Sequence, residues 1–315
     1  MIRKTADSQA IGLMILLCMT WGMQQVSIKL AADDIASVMQ ICLRSGIAVL
    51  LLALFMLWRR EKLVLRDTWK PGLLAGILFS SEFFFVAEGL RFTTASHIAI
   101  FIYSAPVFAA LGLHIKLPAE RLNAIQWTGI LVAFAGIAIT FLGRDTANPA
   151  ALHASNMIIG DLCGLLAGFC WGATTVVIRC SSLASSSASQ TLMYQLLVCF
   201  LLVLCAAVLT DRTAIHWSST AIISLLFQGV IICFISFLIW FWLLGKYVAS
   251  QLGVFSFMTP LFGILFGVLI LDESLEQRFI VGAVLVMAGI VLVSGQSVLR
   301  RYLSGLTRTA APKHD

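Results

Sequence analysis

Charge is what this sequence has least of. Asp, Glu, Lys and Arg make up 11% of its 315 residues, against about 25% in ordinary soluble domains. So little charge cannot cover a soluble surface, which excludes a soluble globular protein. Histidine is scarce too, at five residues with no cluster, and no C-x-x-C occurs among the eight cysteines. The cysteines lie mostly inside apolar runs and read as small hydrophobes rather than as disulfide partners or metal ligands. There is no H-E-x-x-H, no G-x-S-x-G and no P-loop, so no catalytic signature marks an enzyme and no cofactor or metal is called for. No filter motif or ring of like residues marks a channel. The net charge of +6 would suggest nucleic acid in a soluble chain. Here the bases sit between apolar runs, so the partner they indicate is the lipid bilayer.

What is plentiful is hydrophobicity, at 60% of residues. A bilayer core takes about 20 apolar helical residues to cross. The first apolar run, about 10–31, is too long for a signal-peptide core and lacks a clear cleavage site, so it reads as an uncleaved first helix. Further runs lie near 36–58, 69–91, 95–116, 123–143, 157–180, 188–210, 218–243, 248–271 and 277–298. The expected fold is an all-α integral membrane protein of ten transmembrane helices. Only short connections remain between them, and residues 299–315 form a basic polar tail.

One stretch occurs twice. Residues 21–29 read W-G-M-Q-Q-V-S-I-K and residues 171–179 read W-G-A-T-T-V-V-I-R. Ala95-Ser96 and Pro106 recur as Ala249-Ser250 and Pro260 at an offset of about 154. Glu120, Gly129 and Ala135-Gly136 recur as Glu273, Gly282 and Ala288-Gly289 at an offset of about 153. Near-equal offsets over most of a half mean duplication. The halves are residues 10–143 and 157–298, each of five helices.

The bases set the orientation. Arg59, Arg60, Lys62, Arg66 and Lys70 crowd the second connection. Lys116, Arg121, Arg179, Lys246 and the tail bases Arg300, Arg301, Arg308 and Lys313 fall on the same side, while the odd connections are poorer. Both termini are therefore expected in the cytoplasm of a cell membrane. Because five is odd, the second half enters the membrane inverted. Inverted repeats with a central cavity mark secondary transporters. A membrane enzyme or a non-transporting membrane protein is the alternative class.

With these residues in place, the chain resembles the drug/metabolite transporter superfamily, EamA type. The resemblance rests on Trp21-Gly22 with Lys29, on Arg44 in helix two, on Pro106 and Pro260, and on the Glu-then-Gly pattern leading into helices five and ten. It implies a basket in which helices one to four and six to nine enclose a cavity, with helices five and ten outside. It also implies transport of small organic solutes, often export of amino acids or related metabolites.

Several residues are candidates for the work. Pro106 and Pro260 each remove a backbone donor within a span and are either hinges or static kinks. Tyr103, Ser104, Met258 and Thr259 stand just before them and are candidate cavity residues, with Phe101 and Phe257 beside them. Trp21 and Trp171 either face substrate or pack beside Gly22 and Gly172. Lys29 is a candidate gate or an interface anchor, as is its mate Arg179. His97 caps its helix or carries a proton. Glu120 and Glu273 are gates or interface anchors. Arg44 maps at an offset of 150 onto Tyr194, so this charge belongs to one half only. Arg44 and Glu82 fall at matching depth, about 12–13 Å from the same face by helical rise, and are expected to pair. Glu88 is the alternative partner. The Arg44–Glu82 pair is either static and fixes the fold, or Arg44 holds a substrate carboxylate while Glu82 takes an ammonium group or a proton. The lining is aromatic, hydroxyl and thioether, with one mid-depth base. That suits a neutral or zwitterionic metabolite better than a sugar phosphate or nucleotide sugar. The small-residue pairs Ala135-Gly136 and Ala288-Gly289 set helix contacts and could also support a weak homodimer.

Overall fold

The computed structural model describes residues 7–118, 121–141, 151–247, 252 and 255–294. Glu120, Ala249, Ser250 and the basic tail lie outside the described residues.

The described chain is helical almost throughout. α1 is Ser8–Leu30, α2 Ser37–Trp58 and α3 Trp69–Phe92. The fourth span is divided into α4, Ala95–Ile102, and α5, Ala105–Lys116. α6 is Ala124–Phe141, α7 Ala151–Arg179 and α8 Ala188–Leu209. The eighth span joins α9, Ser219–Leu226, to α10, Phe237–Lys246, through a π-helix over Phe227–Ser236. α11 is Met258–Leu271 and α12 is Gln277–Ser294. Eight described spans are long and apolar enough to cross a membrane, and α6 and α11 are shorter apolar helices. Large side chains such as Leu50, Leu54, Leu131 and Leu269 are exposed on the outside, as lipid contact requires and water would penalise.

α1, α4, α8 and α9 start where a polar side chain satisfies a free amide of the first turn. Asp7 accepts from the Ala10 amide at 2.9 Å, Thr94 from His97 at 3.2 Å and Ser218 from Ala221 at 3.0 Å. α7 begins at Ala151, earlier than its apolar run suggested, because periodicity fades before a helix ends.

The eighth span is four residues longer than its repeat mate α3. The repeat offset grows by the same number between the first and fourth helices of each half. A π-helix places more residues in each turn than an α-helix does, so it takes up part of the excess within the span.

Alternating directions give the bundle two ends. One end carries the start of α1, the connection from α2 to α3 and the end of α7 at Arg179. The other carries the end of α1 at Lys29, the start of α4 and the end of α11. These are called the Arg179 end and the Lys29 end. α6 and α12 make the most extensive helix contact in the molecule, with each other.

The order of packing differs from the sequence expectation at one place. Consecutive helices are usually neighbours, yet α8 contacts both α2 and α3 more extensively than these contact each other. Glycines create the seam. A Cβ at Gly72 would meet the Tyr194 ring at 2.5 Å, and one at Gly76 would meet Val198 at 2.6 Å. Gly46 takes Phe200 in the same way.

Candidate functional site

The fourth span breaks at Tyr103–Ser104, and α5 resumes with Pro106 in its first turn. Proline needs no backbone donor there. The Ser104 hydroxyl turns back onto the Phe101 carbonyl at 2.6 Å. On the inverted side, Pro260 also falls in the first turn of a helix, α11, just after a turn at Phe257. Both prolines mark breaks rather than bends within continuous helices.

Beside these breaks lies a cavity of about 350 Å³. α1 lines it with Trp21, Gln24 and Gln25, and α3 with Phe79, Glu82 and Phe83. Ile102 and Tyr103 come from the fourth span, and Trp171, Thr174, Thr175 and Ile178 from α7. Gln195, Ile232, Phe237 and Trp240 follow from the seventh and eighth spans, and Ser256 and Thr259 from the ninth. α2, α6 and α12 contribute nothing among the described residues. On α7 the lining runs to within one residue of the helix end, so the cavity extends toward the Arg179 end.

Of the residues singled out in the sequence, Trp21, Glu82, Tyr103, Trp171 and Thr259 are brought together here. Trp21 donates to the Ser236 hydroxyl at 2.8 Å and meets Trp240 edge-on at 5.6 Å. Trp171 meets Tyr103 edge-on at 5.2 Å. The adjoining glycines serve packing. A Cβ at Gly22 would strike the Gly263 amide at 2.8 Å, and one at Gly172 the Ala105 carbonyl at 2.8 Å. The Trp-Gly pair therefore does both jobs, one residue for each face.

Ser104 and Met258 do not line the cavity. Ser104 is buried against Gly168, and Met258 packs against the cluster of Met14, Cys18 and Leu243. Phe101 and Phe257 are core residues. Arg44 is also off the lining. It is 1% exposed, and its guanidinium sits 4.1 Å over the Phe83 ring, whose residue does line the cavity. The expected Arg44–Glu82 ion pair is not formed. Arg44 Nε and Nη1 and Glu82 Oε2 are buried without hydrogen-bond partners. Arg44 does reach α3, but it lies over the Phe83 ring rather than on the carboxylate of Glu82, next to Phe83 in sequence. Glu88, the alternative partner, is taken by Arg91 at 2.5 Å and by Arg212.

The Lys29 end is tied shut by polar side chains. The αL conformation of Asp272, φ 52°, turns the chain after α11, a conformation Asp tolerates better than most residues. Glu273 is thereby placed on the first turn of α4. Its carboxylate accepts from the Ala95 amide at 2.7 Å, the Ser96 amide at 3.0 Å and the Ser96 hydroxyl at 2.6 Å. Free amides and the helix dipole favour an anion there. Lys29 stands 3.7 Å from the same carboxylate and donates to the Thr93 carbonyl at 2.8 Å. Thr93 in turn donates to Asp161 at 2.7 Å. His97 Nδ1 lies 2.9 Å from Asp161, and its ring stacks on Phe279 at 4.0 Å. Thr94, not His97, supplies the cap. Nearby, Ser224 donates to the Ser27 carbonyl at 2.6 Å, and Gln228 donates to Gln40 at 2.9 Å.

At the Arg179 end, the links among the described residues lie at the flanks. Gln190 bonds the Val64 carbonyl and the Thr68 hydroxyl, each at 2.9 Å. The Tyr247 hydroxyl donates to Asp7 at 2.9 Å. Asp7 lies outside the spans, and its carboxyl is held below its ordinary value by the Ala10 amide first and the Tyr247 hydroxyl second.

Sequence reasoning missed Gln24, Gln25, Thr174, Thr175, Gln195 and Asp161. The signal for four of them was the repeated stretch itself, where Gln24-Gln25 and Thr174-Thr175 hold matching places. Asp161 carried no local signal.

Helices of opposed direction from two inverted halves, around a cavity at mid-depth, define a polytopic membrane protein of transporter type. The sequence profile of the EamA-like transporter family matches residues 8–142 and 158–295. The chain belongs to that family, and it is a membrane transporter rather than an enzyme. It is 24% identical over 280 residues to the uncharacterized transporter YoaV of Bacillus subtilis, covering 88% of this chain and 94% of that one. It is 25% identical over 288 residues to a protein of Escherichia coli described as a probable amino-acid metabolite efflux pump, covering 89% and 93%. A solved crystal structure at 17% identity superposes with a TM-score of 0.64, over 92% of this chain and 99% of the other, and speaks to the fold alone.

Proposed function

We propose that the protein exports a small neutral or zwitterionic organic metabolite, an amino acid or a related compound, by alternating access. The observation that carries this reading is one cavity lined by both halves, tied shut at the Lys29 end and extending toward the Arg179 end. The Arg179 end is the cytoplasmic one in this reading, since the bases Arg59, Arg60, Lys62, Arg66 and Lys70 gather there. The conformation is then the one that loads from inside. In the other conformation the Lys29–Glu273 tie opens and the breaks before Pro106 and Pro260 flex. The export direction and the solute class draw support from the efflux-pump relatives of Escherichia coli and Salmonella typhimurium. A nucleotide-sugar or sugar-phosphate carrier fits less well, since neither Lys nor Arg lines the cavity among the described residues.

The test is flux from proteoliposomes loaded with radiolabelled amino acids, amines, sugar phosphates and nucleotide sugars. Amino-acid or amine efflux above that from protein-free vesicles is expected. Flux confined to the phosphorylated solutes would overturn the reading.

A further inference from the structure

Glu82 is 5% exposed and lines the cavity, and its Oε2 meets no hydrogen-bond donor. Thr259 Oγ1, in the same lining, is buried and faces the Tyr103 hydroxyl and the Cys18 thiol without a hydrogen bond of good geometry. Buried polar atoms in folded proteins are nearly always satisfied, so an unpartnered carboxylate oxygen in a cavity wall points to a ligand that satisfies it. Glu82 is the only titratable carboxylate in the described lining, and no base stands beside it there. The groups that face it electrostatically are Arg44 on α2, Tyr103 on the fourth span, Cys170 on α7 and Cys199 on α8. Of these only Arg44 is a cation, and the Phe83 ring covers it. The nearby faces of Trp21, Phe79 and Trp171 are aromatic, and aromatic rings attract ammonium ions.

We propose that Glu82 reads the substrate through a protonated amine, and that the same carboxylate carries a proton when no amine is bound. This rests on the transporter reading above. A bare carboxylate in such a site is costly, and two partners can neutralise it. One is a proton from water at the cavity mouth. The other is the ammonium group of an alkylamine, an arylalkylamine or an amino acid, with Thr259 accepting a second N–H. The two exclude each other. When an ammonium ion docks on protonated Glu82, only the carboxyl O–H bond breaks. The proton goes to water, the carboxylate keeps the electron pair, and the ammonium keeps all its hydrogens. One proton is released per amine bound, so amine and proton move in opposite directions across the membrane.

The full chain, purified in detergent, is tested with four probes that share a phenyl ring: 2-phenylethylamine, L-phenylalanine, 3-phenylpropanamide and 3-phenylpropionate. Quenching of tryptophan fluorescence reports binding, since Trp21, Trp171 and Trp240 line the cavity. The amine and the zwitterion should bind at least tenfold more tightly than the amide, and the propionate should bind most weakly. Amine affinity should fall from pH 8 to pH 6. Calorimetry in two buffers of different ionisation enthalpy should detect proton release. Glu82→Gln, shown folded by its melting and gel-filtration profiles, should lose the pH dependence and the proton release, and Glu82→Asp should keep both. Equal amine binding by wild type and Glu82→Gln, or tightest binding of the propionate, would overturn the proposal. Binding of the amide without preference for the amine would overturn it while leaving the transporter reading standing. Binding of none of the four would remove both.

Discussion

Among the described residues, the two ends of the molecule are held by different links. At the Lys29 end, a base, an acid and a helix start have closed on one another: Lys29, Glu273 and the Ala95–Ser96 amides. In the sequence the repeat echoes these three as Arg179, Glu120 and Ala249-Ser250, of which only Arg179 is among the described residues. At the Arg179 end the described links join flanking helices, α8 to the α2–α3 connection and α1 to the turn at Tyr247. A duplicated sequence offers the same residue types twice, and in the alternating access proposed above these would be the two gates.

The strongest way to break the contrast is Glu273→Gln. It removes the charge shared by Lys29 and the first turn of α4. Hydrogen bonds to charged groups contribute about 1.5–3 kcal/mol each, so the conformational equilibrium should shift by roughly tenfold or more toward opening at the Lys29 end. On a cysteine-free background, Gln24→Cys should then label faster with an impermeant maleimide from that side. Unchanged labelling would show that Glu273 is an interface anchor and no gate.

Gly267→Ala should act in the same direction, by a smaller amount. A Cβ there would meet Glu273 Oε2 and Ser96 Oγ at 2.5 Å each. The charge stays but is pushed off its donors. Substrate efflux should slow severalfold, and Gly267→Ser should be no better. If Gly267→Ala transports at the wild-type rate, the carboxylate has room to move and the tie is looser than described.

Gln228→Leu probes the second tie. It leaves Gln40 Oε1 without its donor at a buried site, a loss of about 1–3 kcal/mol. The double change Gln40→Leu with Gln228→Leu should recover part of that stability in a thermal melt, since both polar groups then disappear together. A double variant weaker than either single one would mean that Gln40 matters chiefly through the Ile28 and Ile35 carbonyls.

The smallest effect belongs to the other end. The depressed Asp7 pKa adds stability above its ordinary value of 3.8, and that contribution is lost as pH falls through the lower folded value. Tyr247→Phe removes the second of the two donors. It should make the melting temperature slightly lower at neutral pH and less sensitive to acid. A large loss would mean that this end is tied more firmly than the contrast allows.

How much of this could be read beforehand follows from range. The spans were legible because a bilayer imposes length and apolarity on each helix separately. The repeat was legible because Trp-Gly is rare. That Pro106 and Pro260 disturb their spans was legible because proline acts on its own backbone, but they were expected as kinks or hinges within helices and stand instead in the first turns after breaks. The Arg44–Glu82 pairing was not, because a contact between helices is written in neither one alone: Arg44 reaches α3 but lies over the Phe83 ring instead of meeting Glu82. Asp161 was invisible for the same reason: its partners Thr93 and His97 lie more than sixty residues earlier in the chain. Ser104 and Met258 had the right position along their spans and the wrong angle around them.

The seam between α6 and α12 has a consequence for motion. A Cβ at Gly129 would meet the Gly289 carbonyl at 2.8 Å, and one at Gly136 the Gly282 carbonyl at 2.6 Å. Gly129 is the mate of Gly282, and Gly136 is the mate of Gly289. Swapping the roles of the halves turns the first contact into the second and the second into the first. These two contacts are thus mirror partners, which the exchange permutes without breaking. In the alternating access proposed above, the seam would stay rigid, like an axle, with the rest of the bundle turning about it.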